Sequence, residues 1–253
     1  MYLPKVKFIN VKTVTEVDWL HGFLFQNSWG WGKYIFRKHP KLKEVLLFKT
    51  EEQQVIFLRR YVLDFRIQKK EQIDRQKLIY EKNWSRVEEE FLTLLSEVIG
   101  ISWPKKINTI TAEISLNPIC PRFLDKQSFF LFYNYNNKDA LEVMMHEICH
   151  FLYFEKWKKV FPKSQPKTFE SPYLEWHLSE IIAPIILNDI RVQKLLKQKA
   201  VFYPEHTKIR IDRKSAPVHF LNLYKQSMKR GDFEAFLKLA YKEIKVHRKL
   251  FNF

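Results

Sequence analysis

The chain has 253 residues, of which 46% are hydrophobic and 16% aromatic. That is enough apolar surface for one substantial domain or two small ones, and it excludes a disordered or low-complexity protein. Forty-four Lys and Arg against 28 Asp and Glu leave a formal charge of +16 on a chain with only 5 Gly and 11 Pro, so the basic excess is carried by structured segments. The two cysteines, Cys120 and Cys149, argue against a disulfide framework. Pro4, Lys5 and Lys7 break up the first apolar residues before a signal-peptide core can form, and no apolar run is long enough for a membrane span. The expected setting is cytoplasmic and reducing.

The first 40 residues mix β-branched and aromatic residues with Gly22, Gly30, Gly32 and Pro40, a pattern for a strand, turns and a short helix, with Trp29-Gly30-Trp31-Gly32 as a packed turn. From Leu42 to Ile99 there is neither Gly nor Pro, which predicts a charged helix near 51–82 and a second near 86–99. Ser85 with Glu88 forms a capping box between them and Gly100 supplies the stop, so the pair is expected to form a helical hairpin or angled arm. After Trp103-Pro104 the pattern turns to strands over 107–116 and 128–135.

Asp139 with Glu142 forms another capping box, opening a helix over about 140–157. A Lys- and Pro-rich loop follows, and Ser171-Pro172 is a cap and first-turn pair for a helix over about 172–188. Two amphipathic helices are predicted near 217–229 and 233–249. The fold class is α+β: a small sheet packed on the 140–157 helix, a helical C-terminal half and an N-terminal helical hairpin. One boundary is expected, separating an N-terminal region, 1–104, from a second domain, 105–253.

His146-Glu147-Ile148-Cys149-His150 carries the chemistry. Four residues advance a helix by about 400°, so both imidazoles lie on one face about 6 Å apart and can reach one tetrahedral ion. Glu147 directly follows the first candidate ligand, where its carboxylate can hold a water rather than bind the ion. Val143, Met144, Met145, Phe151, Leu152 and Phe154 make this helix apolar on nearly every side, so its polar residues need a partner. A metal supplies one. The alternative is a pair of core histidines hydrogen-bonded to backbone or carboxylate, with Glu147 matched to a lysine.

A third ligand is available on the following helix. Glu180, in apolar surroundings just before Ile181, Ile182 and Pro184, ranks first. Glu175 ranks second because a first-turn carboxylate is already explained by the helix dipole, and His177 ranks third. Cys149 faces away from the histidine pair by helical phase and reads as a small core residue.

The HExxH helix followed by a glutamate-bearing helix resembles the gluzincin group of zinc metallopeptidases, the thermolysin-like clan. The segment from Glu180 to Ala183 is also similar to the Glu-x-x-Ala helix of ImmA/IrrE-type metallopeptidases. The resemblance covers about residues 128–190. It implies Zn²⁺ bound by His146, His150 and Glu180, with Glu147 as the general base in hydrolysis of a peptide or protein substrate. The glycine and third histidine of metzincins are missing from 151–156, and the later histidine-glycine segment of SprT-like proteases is not found. In thermolysin-like folds an edge strand beside the HExxH helix binds substrate, a place the run Phe129 to Tyr135 could take; its alternative is an interior strand buried on both faces.

Tyr203, His206, His219 and Tyr224 are candidate donors to a developing oxyanion, none of them assigned. From Asp189 to Phe253 there are 16 Lys and Arg against 6 Asp and Glu. Weak nucleic-acid association through this basic region, with Trp29 and Trp31 stacking on bases, is the second functional reading, in which the HExxH site is structural or vestigial. Solvated helix faces and a packed turn explain the same residues without a partner.

Overall fold

A computed structural model of the chain describes residues 2–26 and 30–251. In chain order the elements are β1 (Lys5–Asn10), α1 (Thr13–Phe25), α2 (Trp31–Lys38), a 3-10 segment (Pro40–Leu47), α3 (Glu51–Gln68), α4 (Lys70–Ser85), α5 (Glu88–Ile99), β2 (Thr109–Ser115), β3 (Arg122–Phe123) and β4 (Ser128–Phe132). Then come α6 (Asn137–Val160), a 3-10 turn (Pro166–Phe169), α7 (Leu174–Leu187), α8 (Ile190–Leu196), α9 (Pro204–Lys208), β5 (Arg210–Ile211), β6 (Lys214–Ser215), α10 (Ala216–Met228) and α11 (Phe233–Val246). The protein is α+β. Trp29 lies outside the described residues; Gly30, at φ 71°, takes the left-handed conformation that precedes α2.

By packing, the chain divides into two units that interleave in sequence: Lys5–Arg86 with Thr109–Met144, and Met1–Pro4 with Val87–Asn108 and Met145–Phe253. This differs from the single boundary expected near 104. The hairpin expected from helices 51–82 and 86–99 is likewise not one unit: α3 and α4 belong to one and α5 to the other.

The first unit holds a four-stranded sheet in the order β1-β2-β4-β3. β1 runs parallel to β2, from Lys5 opposite Thr109 to Asn10 opposite Ile114, and β2 runs parallel to β4. The two-residue β3 is antiparallel to β4 and takes the edge. β4 is therefore an interior strand with all five residues buried, as its unbroken apolar run requires, and the edge-strand alternative is overturned. Trp19 of α1 packs its ring on Phe123 and Phe130. The Tyr80 hydroxyl of α4 is shared between the carbonyls of Phe132 and Tyr135, at 3.1 and 2.9 Å, anchoring the end of β4. The single helix expected over 51–82 is two, capped by Thr50 and broken at Lys69.

In the second unit α5 has no side-chain cap. Ser85 ends α4 instead, its hydroxyl donating to the Lys82 carbonyl, and Glu88, Glu89 and Glu90 meet the positive end of α5. Gly100 stops this helix as expected, at φ 67°. α7 starts at Leu174, after the expected Ser171-Pro172 cap, and runs through Pro184 to Leu187. Every residue from Trp176 to Leu187 is buried, and α8, α10 and α11 pack around this helix. α8, α9 and the β5–β6 hairpin were not anticipated, and α11 stops at Val246 rather than 249.

α6 begins at Asn137, and its cap is Asn136 rather than Asp139. The Asn136 Oδ1 accepts from the amides of Lys138 and Asp139, both at 3.0 Å, while its Nδ2 donates to the Asp139 carboxylate at 2.8 Å. Among the described residues no helix is long and apolar enough to cross a membrane.

Candidate metal centre

His146 and His150 stand one turn apart on α6, with ring centroids 4.8 Å apart. α7 brings Glu180 to both: Oε2 lies 3.1 Å from His146 Nε2, and Oε1 lies 3.5 Å from His150 Nε2. One ligand atom from each residue lies within 4.8 Å of the other two. His150 and Glu180 are buried, at 0% and 3% exposure, while the His146 side chain retains 15%, so the cluster is approached from the His146 side.

These residues fit a zinc ion. Two imidazole nitrogens and a carboxylate oxygen form a Zn²⁺ donor set, and bonds of about 2.1 Å in a tetrahedron separate ligand atoms by about 3.4 Å. The 3.1 and 3.5 Å separations run to different oxygens of the Glu180 carboxylate, and with one ligand atom taken from each residue all three lie within 4.8 Å of one another, close enough to gather around one ion. An ion held by these three residues alone would keep a fourth position open, as catalytic zinc sites do. Glu147 is nearly buried, at 9% exposure, on the turn that carries His146.

The other two third-ligand candidates are engaged elsewhere. Glu175 Oε1 accepts from the Tyr241 hydroxyl at 2.8 Å. His177 Nδ1 lies 3.0 Å from His206 Nε2, one ring nitrogen donating to the other. Burial pushes both imidazoles down to about 4, only partly offset by the Glu180 charge, so the pair is neutral near pH 7. Cys149 is a core residue; burial, with the nearby charges of Glu147 and Glu180, pushes its thiol up.

Of the unassigned donor candidates, His206 lies near enough to Glu180 to feel its charge, and the other three have contacts of their own. Tyr203 packs on Trp176 and His206, His219 Nε2 lies 3.4 Å from Glu243, and the Tyr224 hydroxyl donates to Asp189 at 2.9 Å. Sequence reasoning missed the His177–His206 contact because His206 sits on the five-residue α9, too short for a periodic signal. The C-terminal basic residues are spread over several elements, and some are matched: Arg191 with Asp189, and Lys238 with Glu234.

No protein-family model, curated protein or solved structure matches the chain.

Proposed function

We propose that the protein is a zinc-dependent metallopeptidase, with His146, His150 and Glu180 holding the ion and Glu147 acting as general base. The observation that carries this reading is the convergence of two imidazole nitrogens and one buried carboxylate from two helices. A Zn²⁺ held by these residues would supply a Lewis acid for a peptide carbonyl and a more acidic water. Glu147 would take the proton of the attacking water and pass it to the leaving amine, so that peptide and water become a carboxylate and an amine. Burial of Glu180 keeps its charge out of bulk solvent, where it holds a cation more strongly.

An imidazole donating from Nε2 would make the same contacts to Glu180 without a metal, so the test separates binding from chemistry. Zinc is measured in the purified protein, and hydrolysis of a mixed peptide library is followed for wild type and Glu147→Gln. Stoichiometric zinc in both, with cleavage only in wild type, supports the reading. Zinc in both without any cleavage by wild type makes the site a structural one.

A further inference from the structure

The sheet unit contains a cavity of about 320 Å³, formed independently of the zinc cluster. All three parallel strands contribute to it from their carboxyl ends: Asn10 closes β1, Ser115 closes β2, and Tyr133 directly follows β4. In open α/β sheets, the crevice beyond the carboxyl ends of parallel strands is where ligands bind. Its volume lies at the lower end of the range for small-molecule pockets. Ile114 contributes an apolar wall, and Leu63 and Ile67 of α3 line the cavity while remaining 43% and 76% exposed.

The charges around this cavity decide what it can take. Arg66 is matched to the buried Glu16, and Lys70 to Asp74 at 2.6 Å. Going inward, a charged occupant would lose hydration beside a guanidinium already engaged by Glu16, whereas the exposed Lys70–Asp74 pair stays hydrated at the rim. The Tyr133 hydroxyl, and the side-chain oxygen of Asn10, whose Nδ2 donates to Asp74 at 3.5 Å, are polar groups able to meet a neutral hydrogen-bonding end.

We infer that this cavity is a binding site for a neutral, mostly apolar small molecule with one hydrogen-bonding end. The inference stands whether or not the zinc reading holds.

The test uses the full-length chain and N-phenyl-1-naphthylamine, a neutral probe whose fluorescence rises in apolar surroundings. Its counterpart with the same rings and one added sulfonate, anilinonaphthalene sulfonate, is titrated beside it. The neutral probe is expected to bind saturably at one site per chain, at least about tenfold tighter than the sulfonate, a difference of about 1.4 kcal/mol. Ile67→Glu and Leu63→Gln should each weaken the neutral probe about tenfold or more, while the thermal midpoint stays near that of wild type because both residues are partly exposed. Leu47→Glu, at an apolar residue 79% exposed and outside the cavity lining, should change nothing. Non-saturable binding, equal binding of the sulfonate, or an equal loss in Leu47→Glu would overturn the inference. So would a concentration-dependent dimer abolished by Ile67→Glu, which would put a second copy of the chain on this face.

Discussion

Glu16 and Glu180 are both buried carboxylates, one in each unit, and they face opposite kinds of group. Glu16, at 0% exposure, accepts from the Arg66 guanidinium, the Ser115 hydroxyl and the Leu116 amide, groups that carry hydrogens to give. Those bonds tie α1 and α3 to the carboxyl end of β2. Glu180 faces the Nε2 atoms of two imidazoles, which in their neutral form can each offer a lone pair instead. A carboxylate surrounded by donors is a structural anchor, whereas one grouped with lone pairs makes a binding site for a cation.

Breaking each carboxylate should therefore have a different consequence. The largest effect is expected from Glu180→Ala: zinc falls from about one per chain to near zero, read by metal analysis, and peptide hydrolysis falls with it. Glu147→Gln should keep the metal and lower kcat by about 10²- to 10⁴-fold, read by steady-state kinetics. Glu16→Ala should instead leave zinc in the folded protein unchanged and cost about 3 kcal/mol in denaturant unfolding, because Arg66, Ser115 and Leu116 lose their common acceptor.

Burial raises the Glu16 carboxyl above its ordinary 4.5 despite the opposing pull of Arg66, Ser115 and Leu116. The buried His177–His206 pair has the opposite sign. Its imidazoles are lowered from 6.5 to about 4, so their contribution is present above pH 6.5 and is lost as pH falls through about 4. Urea midpoints measured between pH 7 and 4 should fall less steeply in His206→Gln than in wild type. The smallest effect is expected at the α6 cap, where Asn136→Ala should cost about 1 kcal/mol in the same unfolding measurement.

Much of this was legible in the sequence wherever the signal is local. The HExxH spacing put both imidazoles on one helical face, and the apolar run around Glu180 marked that carboxylate as anomalous. Gly100 stopped α5 as a left-handed residue should. Signals that depend on distant pairing were not legible. Nothing near Lys5–Asn10 shows that this strand pairs with Thr109–Ser115, about a hundred residues later, yet that pairing makes the two units interleave. The cap of α6 lies three residues before Asp139, because polar side chains near a helix start compete for the same amides and only the folded backbone selects one, and the box at Ser85 does not form, since its hydroxyl turns back to the Lys82 carbonyl. The Glu16 anchor was missed because its acceptor and donors come from three separate segments.

The most direct test of the central claim is zinc stoichiometry in wild type beside Glu180→Ala, Glu175→Ala and His177→Ala. The account predicts about one zinc per chain in wild type, near zero in Glu180→Ala, and retention in the other two, whose side chains bond to Tyr241 and His206. Wild-type protein without stoichiometric zinc, or a Glu180→Ala variant that keeps it, would contradict the account.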